Sequence, residues 1–206
     1  MPNRAIDGKA TPGRPRTTSR DEVQRVALAL FAEEGFEATT LDDIAAALGV
    51  SRRTLFRYYP SKNDIVWAEF SAHLAGLRER LARASADEPL IDVLRRAVVA
   101  FNDYGAEELP ELRIRMGLIT SVPALQAHST LRYRDWCDVI AEFVAARLGC
   151  HVEDHAPQVV ANAALGTAMA TYRHWITHPE VDLLRELDEA FRLLAAGFDE
   201  RLLRGA

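Results

Sequence analysis

The chain has 206 residues, 49% of them hydrophobic, and carries 25 Lys and Arg against 30 Asp and Glu for a formal charge of −5. That length holds a small domain beside a larger one with a proper core, and an Ala-, Leu- and Arg-rich composition without alternating apolar and polar runs points to an all-α fold. No stretch approaches a bilayer span, the first twenty residues lack the apolar core of a secretory signal, and Cys137 and Cys150 do not suggest a disulfide framework, so a cytoplasmic protein with free thiols is expected.

Residues 1–18 form a basic arm in which Arg4, Lys9, Arg14 and Arg16 face a lone Asp7 among Pro, Gly and Thr. Such a segment lacks the apolar surface to fold alone, and reads either as a solvating tail or as an arm that lies along a DNA minor groove. A first helix is predicted over 20–34, capped by Ser19 with Glu22 in capping-box position and closed by Gly35. Val23, Val26, Ala27, Leu30 and Phe31 form its core stripe.

Residues 40–64 read TLDDIAAALGVSRRTLFRYYPSKND. Leu41, Ile44, Ala45 and Leu48 give a short helix one apolar face, Thr40 and Asp43 form a capping box at its start, and Gly49 supplies the left-handed turn at its end. Ser51 caps a second helix in which Leu55 and Tyr58 or Tyr59 face inward while Arg52, Arg53, Thr54 and Arg57 project outward. Pro60 stops that helix, and Ser61 with Asp64 opens another. Two short helices about a glycine turn, the second presenting arginines, suit insertion into a DNA major groove, although an Arg-rich helix can also be a solvated face.

A fourth helix is predicted over 62–84, with Ile65, Val66, Phe70, Leu74, Leu77 and Leu81 on its stripe, bridging a DNA-reading domain at 19–64 to a second domain at 65–206. Helices over 90–108, 111–120, 124–148, 157–177 and 182–204 follow, with breaks at Pro89, Pro110, Pro123, Gly149 and Pro179, for a total of nine. Charge divides along the same line: residues 1–64 sum to +1 and the remainder to −6, so the acidic surplus sits away from the DNA-reading segment.

The phrases LFAEEGFEATT at 30–40 and TLFRYYPSK at 54–62 make residues 19–66 resemble the N-terminal domain of TetR-family transcriptional regulators. More narrowly, DDIAAALGVSRRTLFRYYPSKNDIVW, PALQAHSTLRYRDW and IAEFVAARLG are similar to regulators encoded with mycofactocin biosynthesis genes. The resemblance implies phosphate contacts from Thr40, Tyr58 and Lys62, and recognition-helix contacts from Ser51, Arg52, Arg53, Thr54 and Arg57. Arg53 replaces a small residue common in relatives, and Phe56 replaces a frequent tyrosine, adding one polar contact and removing another.

The same resemblance implies a ligand-responsive repressor of a pseudo-palindromic double-stranded operator, acting as a homodimer through its last two helices. The final helix has an apolar stripe of Leu183, Leu184, Leu187, Phe191, Leu194, Phe198 and Leu202, and the preceding one carries the small residues of ANAALGTAMA; both patterns also fit a monomer core. The middle helices are expected to enclose an effector pocket lined by Phe101, Tyr104, Met116, Ile119, Tyr133, Trp136, Ile140, Phe143 and Met169, each of which also reads as packed core. Arg113, Arg115, Arg132 and Arg134 could rim it for an acidic head group, and likeness to regulators of lipid-linked metabolism implies an acyl-CoA as candidate effector. The alternative is a metal-responsive regulator using the i, i+4 pairs His151/His155 or His174/His178, the first beside Cys150, Glu153 and Asp154. No P-loop, dinucleotide-binding glycine pattern or nucleophile elbow is present, so neither an enzyme nor a bound cofactor is expected.

Overall fold

A computed structural model describes residues 18–197; the bulk of the basic arm, and Phe198 and Leu202 of the final stripe, lie outside that range. The described residues form ten α-helices: α1 (Arg20–Glu33), α2 (Leu41–Leu48), α3 (Arg52–Tyr58), α4 (Lys62–Val66), α5 (Phe70–Ala82), α6 (Leu90–Phe101), α7 (Leu109–Ser121), α8 (Pro123–Leu148), α9 (His155–Thr177) and α10 (Leu183–Ala195). The fold is all-α, as the composition indicates.

The tenth helix arises because the predicted bridge over 62–84 is broken at residues 67–69. Trp67 caps α4 and is pulled into the interior, 8% exposed, where its ring meets Phe70 edge-on at 5.3 Å and Tyr133 at 5.9 Å. Neither Gly nor Pro marks this break; burial of one large ring decides it. The helix expected over 90–108 also stops early, at Phe101. Asn102 turns its side-chain amide back to the Val98 carbonyl at 2.8 Å and accepts the Tyr172 hydroxyl, and Gly105 takes a left-handed φ of 75°. Pro110 and Pro123 open α7 and α8 from their first turns rather than separating helices, since a first-turn proline lacks only an amide that has no helical partner.

Two apolar clusters hold the molecule. One joins Val23, Ala27, Phe31, Ile44, Leu55 and Ile65 of α1–α4 to Leu112, Met116 and Ile119 of α7, Trp175 of α9 and Leu187 of α10. The other joins Leu77, Leu94, Val98, Ile140, Val144, Ala164 and Phe191 of α5, α6, α8, α9 and α10. Leu183, Leu187 and Phe191, three members of the final stripe, therefore face the chain's own core and are at most 2% exposed. No helix among the described residues is long and apolar enough to cross a membrane.

Candidate functional site

The segment 40–62 is built by caps. The Thr40 hydroxyl accepts the Asp43 amide at 3.2 Å, and the Asp43 carboxylate accepts both the Thr40 amide at 2.8 Å and the Thr40 hydroxyl at 2.6 Å. Those bonds hold the Asp43 carboxyl below its ordinary value of 3.8. Gly49, at φ 65°, donates its amide to the last carbonyls of α2 and turns the chain. The Ser51 hydroxyl then accepts the Thr54 amide at 3.1 Å and lies 2.9 Å from the Thr54 hydroxyl. Leu55 and Tyr59 are the inward residues of α3, leaving Ser51, Arg52, Arg53, Phe56 and Arg57 exposed and Thr54 half-buried.

The expected DNA contacts divide into three groups. Arg53 and Arg57 make no ion pair among the described residues, and Arg57 merely rests over the Tyr58 ring at 5.3 Å. Arg52 is exposed but donates to Asp42 across the turn at 2.7 Å, with its guanidinium above the Phe56 ring at 5.3 Å. Tyr58 and Lys62 turn their polar ends inward. The Tyr58 hydroxyl donates to the Thr18 carbonyl at 2.7 Å, and the Lys62 ammonium donates to the carbonyls of Phe36 at 2.6 Å and Thr39 at 3.3 Å while resting 4.4 Å from the Phe36 ring centre. Both therefore brace the entry into α1 and the turn that leads to Thr40.

Behind this face, where the two apolar clusters meet, lies a narrow cavity of about 70 Å³. Phe101, Tyr104, Met116, Ile119, Tyr133, Trp136 and Met169 of the expected lining surround it. Ile140 does not: it is fully buried in the second cluster, and Phe143 packs against that cluster beneath Arg147 at 5.7 Å, so both are core. Sequence reasoning missed Val66, Trp67, Phe70, Val98, Asn102, Leu112, Leu165, Ala168 and Tyr172, which with Arg115 complete the wall. Val66 and Phe70 already stood on the helical stripe of the bridge and Trp67 beside it, a signal that could have placed them; Tyr172, some seventy residues from Asn102, gave none.

The expected cationic rim reduces to one residue. Arg115 lines the cavity and an outer polar groove it shares with Tyr104 and Leu112, and approaches Glu69 at 3.6 Å. Arg113 lies elsewhere, donating to the Trp175 carbonyl and stacked 3.9 Å from that ring. Arg132 leans toward Asp64 at 3.9 Å, and Arg134 faces solvent outside the cavity wall. Burial pushes the Tyr104 hydroxyl up to about 12 and the Tyr172 hydroxyl well above its ordinary value, so both are neutral hydrogen-bonding groups.

His151 and His155 do not share a helical face. His151 sits in the turn before α9 and accepts the Glu153 amide at Nδ1, 3.2 Å away, while His155 is the first residue of α9. His174 and His178 stack at 4.1 Å, but His178 Nδ1 lies 2.8 Å from the His174 carbonyl at the helix end. No group of three or more His, Cys, Asp or Glu among the described residues is placed to hold a metal ion. Cys137 and Cys150 are free; burial pushes the Cys137 thiol up to about 11, which makes it inert.

Comparisons with known proteins bear on both regions. Residues 25–68 match the family model "Bacterial regulatory proteins, tetR family", and residues 88–199 match "MftR C-terminal domain". A Mycobacterium tuberculosis protein provisionally named mycofactocin biosynthesis transcriptional regulator MftR is 45% identical over 91% of this chain and 94% of its own. Among solved structures, the Thermus thermophilus repressor FadR in complex with lauroyl-CoA superposes with a TM-score of 0.60 at 28% identity, covering 88% of this chain and 95% of that one. SmeT, repressor of a Stenotrophomonas maltophilia multidrug efflux pump, gives 0.61 at 25% identity over 87% and 90%.

Proposed function

Because the chain belongs to the TetR family of bacterial regulatory proteins, and within it to the group marked by the MftR C-terminal domain, we propose that it represses transcription by binding an operator through α3 and releases it when an effector enters the cavity. The chain is a transcriptional regulator by family, and its relatives are named as regulators rather than enzymes. The observation that carries the finer reading is the pairing of an exposed, capped α3, whose Arg53 and Arg57 have no carboxylate partner among the described residues, with an aromatic-walled cavity that touches Val66 and Trp67, at the end of the helix that follows α3. Guanidinium groups free of carboxylate partners can donate to guanine edges or phosphates without first breaking an ion pair. Thr40, Ser51, Thr54 and the partly engaged Arg52 flank them as further contacts, and residues 19–64 act as the DNA-reading domain.

An acyl-CoA is the proposed effector. Support comes from the lauroyl-CoA bound by the Thermus FadR and from walls of aliphatic and aromatic side chains here. At about 70 Å³ the cavity is far smaller than the several hundred Å³ usual for a ligand site, so an acyl chain enters only by moving side chains. That motion is the proposed signal: an effector that binds the displaced arrangement more tightly weakens operator binding by the same factor.

Homodimerisation is proposed through α9 and α10. On α9, Val159, Ala163, Gly166 and Ala170 run along one side, and Val159 is 49% exposed. A two-fold dimer places two α3 helices on successive major grooves, roughly 34 Å apart per turn. The test is a gel-shift titration on DNA flanking the protein's own gene, repeated with acyl-CoAs of increasing length. Retarded DNA that is released by acyl-CoA is the expected result; unchanged operator affinity at saturating acyl-CoA refutes induction, and no retardation at all refutes DNA binding there.

A further inference from the structure

The wall of the cavity presents hydrogen-bond donors that find no bonded acceptor among the described residues. Trp67 is 8% exposed, lines the cavity, and its indole Nε1 has no acceptor among the described residues. The Tyr133 hydroxyl, across an edge-to-face contact of 5.9 Å at 80°, is likewise buried without a bonded partner. Ser129, one turn away on α8, donates its hydroxyl to the Gln126 carbonyl at 2.7 Å and so offers Tyr133 an acceptor oxygen close by, although no bond of normal geometry joins the two. The cavity's other polar pair is internally matched, with the Tyr172 hydroxyl donating to Asn102 and the Asn102 amide to Val98. Buried polar groups in native proteins are bonded as a rule, and an exception that faces a cavity marks a place where a ligand or a water can bond.

We infer that Trp67 and Tyr133 form a subsite that reads the acyl carbonyl oxygen of the effector; this rests on the proposed effector class and adds where its polar atom sits. An indole N–H can only donate, so the subsite demands an acceptor and is indifferent to a bare hydrocarbon. The neighbouring wall is apolar, formed by Val66, Phe70, Val98, Ile119 and Met169, which suits the chain attached to that carbonyl. Arg115, the only cation lining the cavity among the described residues, approaches Glu69 at 3.6 Å but keeps a buried Nε without a hydrogen-bond partner, so the cavity can meet a carboxylate as well as a neutral carbonyl oxygen. Trp67 is also the residue at which α4 ends, so the carbonyl would dock directly on the link to the DNA-reading helices. A fatty-acyl thioester and a free fatty acid both offer such an oxygen.

Calorimetric titration of the full chain with hexadecanoyl-CoA, hexadecanoic acid and S-hexadecyl-CoA, the thioether that lacks only the carbonyl oxygen, tests the assignment. Hexadecanoyl-CoA is expected to bind about tenfold or more tightly than the thioether, the size of one buried hydrogen bond. Tyr133→Phe and Trp67→Phe should each remove most of that difference between thioester and thioether. Tyr133→Phe deletes one oxygen and keeps the ring, so it separates the hydrogen bond from any loss of packing at Trp67. A carbonyl-dependent signal with hexadecanoic acid that Tyr133→Phe abolishes would assign the oxygen to the free acid. Equal affinity for thioester and thioether, or insensitivity of the thioester to both substitutions, overturns the subsite while leaving the acyl effector standing. Failure of all three probes to bind overturns the effector class and the subsite with it.

Discussion

Arg53 and Arg57 differ from Arg52 in one respect that matters for DNA: Arg52 already holds a carboxylate, Asp42, at 2.7 Å. Arg53→Ala is therefore expected to weaken operator binding by about 1–3 kcal/mol if the side chain reads a base, and to lower the salt dependence by about one ion if it meets phosphate. Arg52→Ala should cost less, because an exposed pair worth about 0–1 kcal/mol must loosen before Arg52 can bind. Gel shifts across a salt series separate these outcomes. Lys62 belongs to another category. Its side chain is three-quarters buried and its ammonium bonds to backbone carbonyls, so Lys62→Met should lower unfolding stability by about 1–2 kcal/mol in a urea titration, as a lost bond to a charged group does. An unchanged midpoint would return Lys62 to the role of a pure phosphate contact. The sequence pattern places all these residues on the right helices; it cannot show which polar ends are engaged, because Thr18, Phe36 and Asp42 come from other elements.

The α2–turn–α3 unit was legible almost to the residue, since each boundary is a local chemical event: a Thr40–Asp43 box, a left-handed Gly49, a Ser51 cap. At φ 65°, Gly49→Ala should destabilise the unit by about 1 kcal/mol although nothing crowds the added Cβ, the strain lying in the backbone alone. The Asp43 carboxyl is held below its ordinary 3.8, so its contribution is complete above that pH and is lost as pH falls through the lower folded value. Melting midpoints of wild type and Asp43→Ala should accordingly differ at pH 7 and converge toward pH 3; a gap that persists at low pH refutes the cap's electrostatic origin. The break between α4 and α5 was not legible. Its cause is Trp67 seeking Phe70 and Tyr133, and Tyr133 lies on α8, beyond any local window. The early end of α6 has the same character, fixed by Asn102 meeting Tyr172 of α9. Ile140 shows the converse: helical spacing identified an apolar inward residue and could not say whether packed core or open cavity lay in front of it.

For the molecule as a whole, the proposed dimer rests on a face that the protomer leaves open. A Cβ at Gly166 meets nothing within 4 Å, so Gly166→Leu should fold as well as the wild type or slightly better, glycine being a poor helix former, yet sediment as a monomer if α9 is the seam. A dimer that survives this change places the interface elsewhere. Linkage gives the second test at this scale: if acyl-CoA weakens operator binding, saturating operator DNA must weaken acyl-CoA binding by the same factor, so acyl-CoA affinity that is undiminished at saturating operator refutes coupling between the two sites. The division of charge, +1 over residues 1–64 and −6 over the rest, acts on a longer range. Chromosomal DNA is a vast excess of wrong sites, and a uniformly basic regulator spends most of its time on them. An acidic body held behind a modest cationic face disfavours that background, because its charge is repelled by phosphate wherever the recognition helices are not seated. Under the proposed induction, a regulator released by its effector would pass to solution rather than to the neighbouring stretch of chromosome.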